Sequence, residues 1–453
     1  MTKKNAFSFV LSMLFCNFTR QIEKCMETKG LSYLSLLLFM LTFIACEKEK
    51  FDANAYNEIV DYQFLIDNVD RNHEWCLTHG DTITITNSGE SIYAVQVLTN
   101  NPYTATNAEI AAEGVCFLNG NMDGGHSTTL AYTLPIVQDR AYIAALKQDG
   151  TYIGVTPFTF GTDTVNLDYV ILESEKSVHT PQPQTFTYLY EEGFPLPGDF
   201  DFNDLVLRVS KSITELSYQV DLKVTVEAVG GNYSFAGAIL LAGISYDDVD
   251  KVEILEGENM DKGYPLRHTM IDSDKTLLRS RSGEPVIRLF ESGHYVLNNQ
   301  LNEVGSVQTL FYNTETTPVE ERSAIVPSVS RTYRISFKNR NIARSLSFDQ
   351  IDPFITHEYN GGLWEIHTYK YKFQETLRSI YNGKSDFYDN HISWSIVVPK
   401  ADFRYAVESM SLGTFNSHTG VTFGPYTSFA EWMTDHTQNN DWYEHITYPQ
   451  LLY

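Results

Sequence analysis

Asp199, Asp201, Asn203 and Asp204 place four oxygen-bearing side chains directly before the apolar run Leu205-Val206-Leu207, in the stretch "PLPGDFDFNDLVLRV" at 195–209. Extended, this segment would hold Asp199, Asp201 and Asn203 on one side, about 6–7 Å apart. Curled, as in helix-loop-helix calcium loops, the first, third and fifth positions turn their oxygens onto one cation. Gly198 permits a sharp approach to that curl, and Pro195 and Pro197 stiffen it. Hard oxygen donors with no His or Cys beside them suit calcium rather than zinc or iron. The twelfth position is Ser210, where a full EF-hand carries Glu, so the missing carboxylate falls to Glu192 or Glu191 upstream. The competing reading is an Asx turn, in which the same side chains accept from backbone N–H groups where the strand begins. A cation held here would be structural, relieving three like charges and pinning a loop.

The rest of the chain carries no spaced catalytic device. Its twelve histidines form no HExxH, and there is no GxSxG elbow, Gly-Lys phosphate loop or GxGxxG after a strand. His367, in "EIHTY", reads as a hydrogen-bonded sheet histidine. Asp402 and Glu408 end the run "DFRYAVE", but glycoside hydrolysis needs two carboxylates converging at about 5–9.5 Å. The expectation is a non-catalytic protein, with a glycoside hydrolase as the weaker alternative. Among the aromatic residues, Trp394 and Trp432 read as core. Trp442 and Tyr443, inside the polar "NNDWYEH" at 439–445, are candidates for an exposed platform that stacks on sugar rings.

The elements that position these residues are mostly strands. The chain is 43% hydrophobic and 13% aromatic, with 28 Tyr and 27 Phe, a β-leaning composition able to bury a core. Period-two alternation in "TITITNS" and "SIYAVQVLT", with Asp149-Gly150 as a hairpin turn, predicts a β-sandwich over 71–173. The polar, proline-bearing "SEKSVHTPQPQT" at 174–185 reads as a linker. Longer-spaced β segments then predict a larger β-rich domain over 186–453. One C-terminal helix closes it, in "PYTSFAEWMTDHT", with Phe429, Trp432 and Met433 on one face.

The other end of the chain points to export. The 12-residue apolar run "LSLLLFMLTFIA" at 34–45, preceded by Lys29 and followed by Cys46, has the length of a signal-peptide core and is too short for a spanning helix. Ala45-Cys46 reads as a lipoprotein cleavage site, so 1–45 is the leader and Cys46 carries the lipid anchor. Met26-Glu-Thr-Lys opens a complete leader by itself, which makes Met26 a candidate start. Residues 46–70 read as a tether with a short helix bearing Tyr56, Ile59, Val60 and Phe64. Cys76 and Cys116 are then the mature cysteines, equally compatible with a disulfide and with two free thiols. The formal charge is −24, and beyond residue 45 the chain holds 28 basic and 55 acidic residues, a net −27. Such a chain repels phosphate backbones, so nucleic acid is not an expected partner.

Several blocks in fixed order carry a resemblance: "PGDFDFNDLV", "IDPFI" at 351–355, "WEIHTY" at 364–369, "SWSIVVP" at 393–399 and "FAEWM…NNDWYE" at 429–444. On these, 188–453 resembles the LruC domain of exported bacterial proteins. Upstream, "NVDRNHEWC" and "VQVLTNNPY" look like the amino-terminal half of lipoproteins from Bacteroides-type bacteria. Ser393 and Ser395 depart from the Pro and Ala usual around that Trp. The resemblance implies a β-rich LruC-type domain on an outer-membrane, surface-exposed lipoprotein. Its partners would be glycan or protein, and the alternative function is glycan binding in a nutrient-uptake system.

Overall fold

In "THGDTITIT" the alternation turns Ile83 and Ile85 inward and the threonines outward, and this segment is strand β1 (Thr78–Thr86). The computed structural model describes residues 69–87, 92–115, 117–118, 121–122, 127–167, 178–192, 194, 199–213, 218–257, 260, 271, 275–298, 311–315, 325–359, 362–371, 375–377, 393–416 and 421–453. The leader, Cys46, the helix expected around 56–64, Cys116 and 195–198 lie outside these residues. All described residues belong to one unit, Ala53–Tyr453. Among them, no helix is long and apolar enough to cross a membrane.

The first body adds β2 (Ala94–Leu98), β3 (Glu109–Val115), a minimal hairpin of β4 (Phe117–Leu118) and β5 (Asn121–Met122), β6 (Ser127–Pro135), β7 (Arg140–Leu146), β8 (Tyr152–Thr159), β9 (Thr164–Asn166) and β10 (Gln182–Pro183). One sheet runs β6-β1-β9 and the other β10-β3-β2-β7-β8. Ile83, Val95, Val97, Leu130, Tyr132 and Ile143 fill the space between them, as the expected sandwich requires. Asp149-Gly150 does turn β7 into β8, with Gly150 at φ 81°, a conformation glycine adopts freely.

The second body follows with almost no spacer. Its strands are β11 (Thr185–Tyr190), β12 (Leu205–Ile213), β13 (Gln219–Ala228), β14 (Phe235–Leu241), β15 (Val249–Gly257), β16 (Leu277–Arg279), β17 (Pro285–Phe290), β18 (Val329–Phe337), β19 (Ile351–Tyr359), β20 (Gly362–Ile366), β21 (Ser395–Val398), β22 (Thr414–Asn416) and β23 (Val421–Phe423). Its helices are α1 (Gly293–Asn298), α2 (Arg340–Ser345) and α3 (Thr427–Thr434). A six-stranded sheet, β15-β18-β13-β12-β11-β21, shares one core with a five-stranded sheet, β16-β17-β14-β19-β20. Strand β14, "FAGAILL", is buried at every position. Phe235, Ile239 and Leu241 face the shared core, and Ala236, Ala238 and Leu240 face a second cluster with Phe354. Such an unbroken apolar run is what a strand covered on both faces needs. The predicted C-terminal helix is α3, and it buries Phe429, Trp432 and Met433.

The segment expected to link the bodies is partly built into the fold. Gln182 and Pro183 pair in parallel with Glu109 and Ile110 at the edge of the first body, and Gln184 Nε2 donates to the Thr133 carbonyl at 2.9 Å. A proline is tolerated there because an edge position needs no ladder N–H on its open side. Across the seam, Ile213 N donates to Glu113 Oε1 at 2.8 Å; within the second body, buried Lys211 donates to the Leu346 carbonyl at 2.7 Å. Burial pulls Lys211 down to about 8, against the charge of Glu113, which raises it.

Cys76 is an exposed, free thiol whose Sγ donates to the Thr78 carbonyl at 3.0 Å. No disulfide therefore ties this segment. Cys76→Ser is expected to leave stability within about 0.5 kcal/mol of wild type in thermal melts with and without reductant.

Candidate metal centre

Strands β11 and β12 are antiparallel neighbours with Tyr190 opposite Leu205, so residues 191–204 close the loop between them. The curl of that loop comes from two phenylalanines. Phe200 and Phe202 sit at φ 59° and 53°, a region bulky residues rarely occupy, and both rings are buried. Their burial offsets the local strain. With Phe200 and Phe202 directed into the core, Asp199 and Asp201 draw in rather than spread. Glu191, Asp199 and Asp201 each offer an oxygen, all within 4.8 Å of one another.

The surrounding bonds fix each group. Glu191 is 0% exposed; its Oε2 accepts from Phe202 N at 3.2 Å, and its Oε1 has no partner. Asp201, also 0% exposed, accepts from Asn203 N at 3.1 Å and from Ser409 N at 2.7 Å. Asn203 donates through Nδ2 to the Ala406 carbonyl at 3.0 Å and leaves Oδ1 unpartnered. Glu408 Oε2 is buried without a partner as well. Gly230 and Gly231 close the floor, Gly230 N donating to the carbonyls of Asn203 and Asp204 at 3.1 Å each.

The sequence-predicted ligands divide in two. Asp199 and Asp201 converge with Glu191, whereas Asn203 turns its Oδ1 to Gly230. Glu192 and Asp204 instead brace backbone: Glu192 accepts from Tyr233 N at 2.7 Å and from Asn232 Nδ2 at 3.3 Å, and Asp204 accepts from Glu192 N. The cap reading thus describes these two, and it describes Asp201 in part. Glu408 is the residue that the metal reading of the sequence missed. It lies about 200 positions beyond the loop, and only the packing of 403–413 against the loop brings it in.

Electrostatically the group is unusual. Burial lifts the carboxyls of Glu191, Asp201 and Asp204 well above the usual range, and neighbouring acids add to it: Asp199 and Asp201 for Glu191, Asp199 and Glu408 for Asp201, Glu191 and Glu192 for Asp204. Burial also pushes Glu408 up to about 8, helped by Asp199 and Glu192. Among the described residues, no Lys, Arg or His pairs with any of these acids. Crowded buried carboxyls without a basic partner either hold protons or hold a cation.

The other candidates fall elsewhere. Trp442 and Tyr443 are 0% and 3% exposed, so they offer no platform to a sugar. Rings of Phe403, Tyr426, Phe429 and Trp432 surround Trp442 at 4.9–5.8 Å between centroids. Glu444 and His445 of "NNDWYEH" are exposed, while the Trp itself turns in from a short 3-10 turn. Asp402 acts on Glu109 of the first body, whereas Glu408 joins the loop acids. His367 is a buried sheet-end residue between Asp352 Oδ2 at 2.6 Å and Glu365 Oε2 at 3.2 Å. A third acidic group, Asp70 with Asp435 and His436, is satisfied internally: His436 bonds Asp70, and Thr437 and Gln438 bond Asp435.

A family model described as "Domain of unknown function (DUF4842)" matches residues 217–443, half of the chain. The chain belongs to the DUF4842 family. The DUF4842 region supplies Gly230, Glu408 and Ser409 to the cluster, and the loop with Glu191 and Asp199 lies just before it. The match also spans "IDPFI", "WEIHTY" and "SWSIVVP"; the LruC resemblance itself rests on those quoted blocks. Among solved structures, the chain is similar to a Bacteroides ovatus protein provisionally named a lipoprotein, at 17% identity and a TM-score of 0.46, over 80% of this chain and 99% of the other. No curated protein matches it.

Proposed function

We propose that this DUF4842 protein is an exported lipoprotein, anchored at the outer membrane through Cys46, whose LruC-like second body is stabilised by calcium and serves a non-catalytic binding or structural role. The leader at 1–45 and the acidic exterior support the location. The observation that carries the calcium reading is Glu191 Oε1: an unpartnered carboxylate oxygen, fully buried, beside Asp199 and Asp201 with no base to neutralise it. Leaving such a group unsatisfied costs about 1–3 kcal/mol or more, and a hard divalent cation removes that cost. The glycan-binding alternative loses its two candidate residues to the core.

Calorimetric titration tests this reading. Wild type is expected to take up calcium with saturable heat in 150 mM salt, and Asp201→Ala to lose the heat of the Glu191–Asp199–Asp201 site while keeping its far-UV spectrum. An unchanged titration in Asp201→Ala would remove the loop acids from the site, and no uptake by wild type would leave them as backbone caps.

A further inference from the structure

The unpartnered oxygens of the cluster do not share one place. Glu191, whose Oε1 is unpartnered, belongs with Asp199 and Asp201, and Glu408 contributes no oxygen to that mutually close group. Asn203 Oδ1 and Glu408 Oε2 meet instead at Gly230. A Cβ built on Gly230 would lie 2.2 Å from Asn203 Oδ1 and 2.8 Å from Glu408 Oε2. Gly230 has no left-handed φ, so the close approach of these oxygens, and not the backbone conformation, is what requires glycine here. Its own N–H donates to the Asn203 and Asp204 carbonyls, so it satisfies neither oxygen.

The orientation of Asn203 follows from its bonds. Nδ2 donates to the Ala406 carbonyl at 3.0 Å, which fixes the amide and aims Oδ1 at the Gly230 side. The residue is 0% exposed, and the Oδ1 atom has no partner. A buried amide oxygen and a buried carboxylate oxygen, both bare and both facing one cradle, form a hard-donor pair of the kind that holds calcium or magnesium.

We propose that the cluster seats two divalent cations: one on Glu191, Asp199 and Asp201, and a second on Asn203 Oδ1 and Glu408 Oε2 beside Gly230. The proposal rests on the calcium reading above and extends it. Charge balance favours it. Glu191, Glu192, Asp199, Asp201, Asp204 and Glu408 are six carboxyls in electrostatic contact, and a second divalent ion lets more of them ionise than one ion does. Asp201 is coupled electrostatically to Asp199 of the first seat and to Glu408 of the second.

Equilibrium dialysis of the full-length protein in detergent against calcium alone, in 150 mM salt to screen its acidic surface, counts the ions. Wild type is expected to hold two per chain, and Glu408→Gln one, with the Glu408→Gln protein melting in chelator no lower than wild type. One ion in wild type overturns the second seat and leaves the first standing. None overturns both this proposal and the calcium reading. Two ions retained by Glu408→Gln would show that the second seat is not at Gly230.

Discussion

Chelation is expected to lower the melting temperature of the wild-type protein, and Glu191→Gln to reverse sign across the same comparison. With calcium at 100–1,000 times its dissociation constant, occupancy of one site stabilises the fold by about 2.7–4.1 kcal/mol. Glu191→Gln removes a ligand, so in calcium the variant should be less stable by about 2–4 kcal/mol. In chelator the balance changes. Glu191 is then one of three carboxyls within 4.8 Å, its Oε1 bare, and replacing it with an isosteric amide removes one buried like charge. The amide also supplies a donor to Asp199 or Asp201, so the variant should match wild type or exceed it by about 1 kcal/mol. Scanning calorimetry on both proteins, in calcium and in chelator, gives four melting temperatures. Equal losses in both conditions would mean that Glu191 is held only by packing, and the metal reading would fail.

How much of this was legible beforehand follows from the kind of signal each feature leaves. The loop was readable because its oxygens alternate with Phe200 and Phe202, so a period-two pattern separates a polar side from an apolar one. The strands of both bodies were readable for the same reason, as "THGDTITIT" and "QVDLKVTVEA" show in their buried positions. Glu408 was not readable as a partner of Asp201, because nothing local to "FRYAVE" records that Ser409 N will bond a carboxylate 208 positions earlier. Trp442 misled through its neighbours: polarity at flanking positions describes where those side chains point, and a 3-10 turn sends the ring the other way. The linker expected at 174–185 misled similarly in its described part, 178–185. Its composition is that of a spacer, yet Gln182-Pro183 pairs through backbone groups, which composition does not encode.

His367 carries the other large expected effect, on stability. Its imidazole is fully buried between two carboxylates, Asp352 at 2.6 Å and Glu365 at 3.2 Å, and Phe354 stacks on it with centroids 4.5 Å apart. The carboxylates are themselves anchored: Asp352 Oδ1 accepts from Thr368 N and Oγ1, and Glu365 accepts from Thr376 N and Leu377 N. His367→Ala therefore leaves two fixed acids facing each other in the core, a loss of about 3–5 kcal/mol. The same geometry sets a pH dependence. Desolvation alone pulls the imidazole down, but the Asp352 charge and the bonds to Asp352 and Glu365 outweigh it and hold the group at about 9, above its ordinary 6.5. The folded state thus binds the proton more tightly than the unfolded chain. The stabilisation is complete below pH 6.5 and drains away as pH rises from 6.5 to 9, by about 3 kcal/mol at most. Urea unfolding in calcium at pH 6, 7.5 and 9 reads both effects at once. Wild type should lose stability steadily across that range, and His367→Ala should start lower and lack that part of the slope. Parallel pH profiles for the two proteins would show that the imidazole does not gain its proton from this pair of acids.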